Sequence, residues 1–215
     1  VFNAKVVKEC KRIPAKVQKE ELENRKDLRN LLTVTIDGDD AKDFDDAISI
    51  VKNEKGYLLY VHIADVSHYV KENSALDQEA YLRGNSIYVC DRVVPMLPFD
   101  LSNGICSLNP NENRLTLSAF IKLDNEGKII SYRFCKSVIR SRVKGVYSEI
   151  NSILDGSESA EIAEKYSAVR NEIFLMNELA DILIAKKKRR HAPELETTES
   201  KLVIDENGIC CAVIP

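Results

Sequence analysis

The sequence predicts an α+β fold: a mixed, largely antiparallel sheet with flanking helices. Three observations carry this reading. Short runs rich in β-branched and aromatic residues recur along the chain, several of them joined by Gly- or Asn-bearing turns of hairpin length. Helical patterns are scattered among these runs and do not alternate with them one for one, as a parallel βαβ sheet requires. The 215 residues, 44% hydrophobic and 30% charged, suffice for a sizeable core, and no low-complexity tract or internal repeat interrupts them.

Residues 1–30 carry alternating charge around Pro14, and "VQKEELENRKDLRN" suits a short helix or an ordered approach segment. "LLTVTID" is apolar and β-branched, a buried strand ended by the turn chemistry of Gly38, Asp39 and Asp40. "DAISIV" and "YLLYVHIADVSHYV" read as a hairpin turning at Asn53 to Gly56. "SALDQEAYLRGN" is a helix with Ser74 as N-cap and Gly84 at its end, and "SIYVC" returns to strand. After the proline-flanked "VPMLP" come a short helical stretch near "LSNGICSLN" and a second hairpin, "RLTLSAFIKL" and "IISYRFCKSVIR", with Gly127 in its turn. Two helices follow. The second, from about Ala160 to Arg190, is amphipathic and ends in KKKRR, which complements the negative end of the helix dipole. "KLVIDENGICCAVIP" is a last hairpin around Asn207 and Gly208.

Composition excludes several functions. The net charge of −3 gives no general affinity for polyanions, so nucleic-acid contact falls to local basic patches such as Lys5 to Lys16 or Lys186 to Arg190. The latter is first a solvated helix end and second an RNA contact. No apolar run approaches the roughly 18 residues of a membrane span, and the N-terminus lacks signal-peptide organisation, which predicts a cytoplasmic protein without membrane contact. The six cysteines show no CxxC spacing and read as reduced, mostly buried thiols. No GxxxxGK or GxGxxG follows a strand, so no nucleotide cofactor is expected.

The chemistry concentrates in "TIDGDDAKDFDDAISI", where six of the ten residues from Asp37 to Asp46 are aspartates, opposed only by Lys42. Carboxylates so close repel one another and lose solvation. Asp37 ends one strand, and Asp43, Asp45 and Asp46 lead into the next, a placement that argues against a turn merely extended into water. An EF-hand fails on spacing: counting from Asp43, Ala47 falls at position five and Ile48 where glycine belongs. Spacing leaves two readings standing, a solvated acidic turn and a Mg²⁺ site acting on phosphates, in which carboxylates hold ions that stabilise attacking and leaving oxygens.

The same string resembles the signature of the ribonuclease R and ribonuclease II family, whose catalytic RNB domain opens with an Asp, five residues, then Asp-x-Asp-Asp. The likeness continues through "YVHIADVSHYV", "ALDQEAYLRGNSIY" and "VPMLPFDLSNGICSLNPNENRLTLS", nearer the ribonuclease R branch, strongest over residues 29–120 and weaker after Arg142. It implies that Asp37, Asp43, Asp45 and Asp46 form the catalytic and metal-binding cluster, with Asp37 and Asp46 the more direct Mg²⁺ ligands and Asp45 indispensable for the chemistry. It implies that Tyr88 stacks on the nucleotide at the 3′ end of a single-stranded RNA, and that the activity is Mg²⁺-dependent 3′-to-5′ exoribonuclease action yielding nucleoside 5′-monophosphates. The ribosome and RNA-decay factors are further partners it admits. His62, His68 and Asp65 read as structural, since no Ser or Cys nucleophile accompanies them.

The resemblance divides the chain into an approach segment, residues 1–30, and the N-terminal part of an RNB catalytic domain, residues 31–215. The family's cold-shock and S1 domains are not recognisable, and neither is the segment whose arginine contacts the reacting phosphate. The expectation is a fragment that is inactive alone. Competing readings are a non-catalytic RNA-binding module on an RNB-like fold and a phosphodiesterase acting on another nucleic acid.

Overall fold

The structure, a computed structural model, describes residues 1–89, 92–193, 201–206 and 209–214. Its centre is a seven-stranded mixed sheet. The strands are β1 (Lys26–Asp27), β2 (Val34–Asp37), β3 (Asp46–Asn53), β4 (Gly56–Ala64), β7 (Asn113–Leu123), β8 (Ile129–Arg140) and β9 (Val143–Val146), in the order β1-β8-β7-β4-β3-β2-β9. Both ends of this order are parallel pairs, β1 with β8 and β2 with β9, and everything between is antiparallel. Two separate hairpins, β5 (Ile87–Val89) with β6 (Arg92–Val94) and β10 (Lys201–Ile204) with β11 (Cys210–Ile214), complete the strands of the described residues. The turn expected at Asn207 and Gly208 lies outside them.

The sheet is assembled by local turn chemistry and by alternation. Gly56, at φ +130°, closes the β3–β4 turn so tightly that a Cβ would lie 2.1 Å from the Leu123 carbonyl oxygen. Asp124 closes the β7–β8 turn by accepting from the amides of Glu126 and Lys128 at 2.9 and 2.8 Å. At one end of the sheet, α1 (Ala4–Cys10), α3 (Ala75–Arg83) and the irregular turn Asp100–Ile105 pack together with Leu115 and Val138, burying Val6, Leu76 and Leu101. Farther along the same face pack α4 (Tyr147–Asp155), α5 (Ala160–Lys165) and α6 (Arg170–Arg189), through one cluster around Val34, Ile153, Tyr166 and Ile173 and one around Ile50, Tyr57, Leu123 and Leu179; the opposite face buries Ala47, Tyr60, Phe120 and Ile139 against Leu28, Phe44 and Leu108.

Three local expectations are revised, and one strand is added. "VQKEELENRKDLRN" contains only one 3₁₀ turn, Glu20–Leu22, before β1; the helix of this segment lies earlier, at α1, where Asn3 caps the amides of Lys5 and Val6. β4 stops at Ala64, and "VSHY" is a single helical turn, α2 (Val66–Tyr69). The long helix expected over 160–190 is broken between α5 and α6. Tyr166 stands at the break, as the last residue before a 3₁₀ turn, Ser167–Val169. Its fully buried ring sits in the core, and its hydroxyl accepts from the Val146 amide at 3.0 Å and donates to Glu149 at 2.5 Å. Finally, β9 was not read from the sequence, yet it flanks β2 along its whole length.

A chain of buried hydroxyls crosses the middle of the sheet. Thr33 contacts Ser49 (2.7 Å), Ser49 contacts His62 Nε2 (3.2 Å), His62 Nδ1 contacts Ser118 (2.6 Å), and Ser118 contacts Ser137 (2.6 Å). His62 is fully buried, and burial holds its imidazole down at about 4. The unfolded imidazole takes a proton near pH 6.5 while the folded one resists until about 4, so protonation favours unfolding. Stability should therefore fall as pH drops from about 6.5 to 4, by up to roughly 3 kcal/mol from this group. Urea denaturation across that range measures it, and His62→Gln, which cannot charge, should show a shallower slope. A second expectation concerns the β2–β9 pair, where a Cβ on Gly145 would lie 2.4 Å from the Thr35 carbonyl oxygen. Gly145→Ala should cost about 1–3 kcal/mol, read as a lowered thermal midpoint.

Candidate active site

The acidic loop leaves the sheet at the end of β2 and returns at the start of β3. β2 ends where Asp37 lies opposite Val146 of β9, and Asp37 Oδ1 accepts from the Gly38 amide at 2.8 Å, turning the chain. Phe44 is the anchor. Its ring is buried against Leu28, Ala47, Tyr60, Ala64, Leu108, Phe120 and Ile139, while its neighbours Asp43 and Asp45 are turned the other way, into a hollow. Ser107, fully buried, binds the loop at two points: it accepts from the Phe44 amide at 3.0 Å and donates to the Lys42 carbonyl at 2.8 Å. The Leu108 amide adds a bond to the Phe44 carbonyl (2.9 Å), and Lys144 of β9 donates to the Asp39 carbonyl (2.8 Å).

The hollow has a volume of about 890 Å³ and is lined by Asp37, Asp40, Ala41, Lys42, Asp43, Asp45, Tyr88, Val93, Phe99 and Asn103. Three of the four aspartates singled out in the sequence thus share it. Asp46 does not line it; it heads β3 opposite Ile63 and is linked to the others through their mutual repulsion. Burial, reinforced by the charges of Asp43, Asp46 and Asp37, pushes the Asp45 carboxyl above the ordinary carboxylate range, and burial with Asp37 does the same to Asp46. Among the described residues, no group of three or more His, Cys, Asp or Glu side chains is placed to hold a metal ion together. Hard oxygen donors in a shared anionic field suit Mg²⁺, which takes one or two carboxylates and completes its shell with water and phosphate oxygens.

Tyr88 stands on β5 with 67% of its surface exposed, so it is not a core residue. Its hydroxyl donates to Asp43 Oδ2 at 2.9 Å, a bond that raises its own proton affinity and holds the ring at the rim of the hollow. His62 belongs to the buried hydroxyl chain, away from the hollow. Asp65 pairs with Arg25 at 2.6 Å, and His68 lies between Arg25 (3.2 Å) and Glu21 (2.8 Å), so both tie the N-terminal segment to the sheet. Sequence reasoning missed Phe44 and Ser107. An apolar ring among six aspartates was a legible signal for the first; nothing in the sequence marks the second.

The fold, with carboxylates and an aromatic ring around one open hollow, defines an anionic site on a mixed α+β scaffold. The chain belongs to the RNB domain family, which matches it over residues 25–214. Ribonuclease R of Thermotoga maritima is 49% identical over all of this chain, which spans 30% of that relative's length. Mycoplasma genitalium RNase R superposes with a TM-score of 0.90 in its complex with ribose-methylated single-stranded RNA and 0.91 in its complex with double-stranded RNA, at 34% identity in each. These cover 99% and 100% of this chain and 33% and 38% of theirs. No helix among the described residues is long and apolar enough to cross a membrane.

Ser107→Ala removes both loop bonds and leaves the Phe44 amide and Lys42 carbonyl short of a partner. It should cost about 1–3 kcal/mol and speed hydrogen exchange of the amides in residues 38–45 well beyond that of β4, as mass spectrometry would show.

Proposed function

We propose that this chain is the N-terminal part of the catalytic domain of a Mg²⁺-dependent 3′-to-5′ exoribonuclease that hydrolyses RNA to nucleoside 5′-monophosphates. The observation that carries this reading is the gathering of Asp37, Asp43 and Asp45 with Tyr88 around one hollow, in a chain of the RNB family whose similar structures include complexes with RNA. The partner it fits is the 3′ end of a single-stranded RNA.

Asp37 and Asp46, with Asp43 and Asp45 completing the set, are the residues that would hold Mg²⁺. When bound, the metal supplies an activated water and charge stabilisation of the leaving 3′ oxygen. The chain's own contribution is preorganisation. Phe44 and Ser107 fix the aspartates before substrate arrives, so their repulsion is met during folding and does not have to be met during the reaction. Burial first, and the neighbouring aspartates second, raise the proton affinity of both Asp45 and Asp46, so added positive charge is favourable at either. Tyr88 offers a ring face on which any base can stack, which suits an enzyme that does not select sequence.

In the complete enzyme, Asp45→Asn should abolish nearly all turnover while RNA binding stays close to normal, because the lost charge acts mainly in the transition state. Activity within a few-fold of the unaltered enzyme would refute the assignment. The 215-residue chain alone should release no appreciable 5′-monophosphate from single-stranded RNA at millimolar Mg²⁺, with an Asp45→Asn chain as control for contaminating nuclease.

A further inference from the structure

We propose that Phe99 is a second base-stacking platform, next to Tyr88 on the path that single-stranded RNA follows away from the aspartates; this rests on the RNA reading above. Phe99 is the one side chain shared by three adjoining hollows. It lines the aspartate hollow, a second beside Phe2, Arg83 and Pro95, and a third between the end of α1 and the turn Asp100–Ile105, lined by Lys11, Pro14 and Asn103 among others. Phe99, with Val93 toward one neighbour and Asn103 toward the other, borders both junctions that an RNA strand longer than the aspartate hollow would use.

The ring's setting is that of a platform. Its backbone is held firmly: the Leu101 and Ser102 amides both donate to the Pro98 carbonyl, at 2.8 and 3.1 Å, and Leu97 and Leu101 on either side are buried. The ring between them is 51% exposed, so the flanking leucines pay the cost of ordering it and its face stays available. A rigid aromatic face at the exit of a phosphate-handling site is what base stacking uses, whatever the base. Charge favours the branch toward α1. Lys11 is exposed there, in a segment that also carries Lys8, Arg12 and Lys16, whereas Arg83 in the other branch is occupied by Glu79 and the carbonyls of Pro95 and Val1. Asp100 borders both branches and so does not distinguish them.

The chain contains no tryptophan, so Phe99→Trp installs a single fluorescent reporter at the platform. The probes are oligo(A) RNA and inorganic tripolyphosphate, with binding followed in parallel by anisotropy of labelled RNA. A second reporter, Tyr132→Trp, sits on the sheet surface outside the aspartate hollow. The expected result is that oligo(A) quenches Phe99→Trp, tripolyphosphate does not, and Tyr132→Trp responds to neither. Phe99→Ala should bind oligo(A) about tenfold more weakly with an unchanged thermal midpoint. RNA bound at normal affinity with Phe99→Trp emission unchanged, or equal quenching of both reporters, would overturn the Phe99 assignment and leave the RNA reading intact. Failure of the unaltered chain to bind RNA at all would overturn both.

Discussion

The acidic loop depends on the burial of Phe44. Six aspartates within ten residues repel one another and would extend the loop into water if the chain were free to do so. Driving the Phe44 ring into the core beneath β3 and β4 prevents this, and because neighbouring residues on an extended chain point opposite ways, it turns Asp43 and Asp45 outward together. Burying a phenyl side chain is worth about 1.5–3 kcal/mol, comparable with the repulsion of two or three screened carboxylate pairs at about 1 kcal/mol each, so the ring shares the task with the loop's hydrogen bonds to Ser107 and Leu108. Ser107 then converts a hydrophobic anchor into a fixed geometry.

The sheet supplies the frame for that anchor. The strand that delivers Asp37 is interior to the sheet: β2 runs parallel to β9 along all four residues and is antiparallel to β3 at Val34. The buried hydroxyl chain through His62 binds β3, β4, β7 and β8 side to side beyond their backbone ladders, and each member satisfies the next. A histidine in such a setting is useful as a neutral, two-ended hydrogen-bonding spacer. Its depressed proton affinity is a consequence of that role and is no sign of catalysis.

On the helix-bearing face the cover is incomplete. α6 packs over Ile50, Tyr57 and Leu123, while Tyr132 and Phe134 of β8, in edge-to-face contact at 5.7 Å between centroids, are 68% and 63% exposed. Asp46 lies on the same face, opposite Ile63, which is also exposed. This explains how Asp46 can be coupled to Asp37 and Asp45 without lining their hollow: the cluster straddles the end of the sheet and does not sit on one side of it.

By itself, the sequence determined the elements whose rules are local and singled out the acidic loop. The β-branched and aromatic runs on either side of the turns at 56 and 127, the glycines in those turns, and the Ser74 and Gly84 caps state their structure within a few residues, so the α+β class and the two central hairpins were legible. Asp37, Asp43, Asp45, Asp46 and Tyr88 were singled out because their stretches resemble a family motif, and four of the five, all but Asp46, line one hollow. Tertiary structure decided what depends on partners far away in the chain. The parallel pairing of β9 with β2 joins residues more than a hundred positions apart, and four residues of "VKGV" carry no signal for it. The break at Tyr166 interrupts a helix that local propensity continues, and the tyrosine's hydroxyl partner there, the Val146 amide, lies twenty residues back. Ser107 reaches back sixty-three residues to hold Phe44, and a serine shows its partner only when the fold has brought the two backbones together.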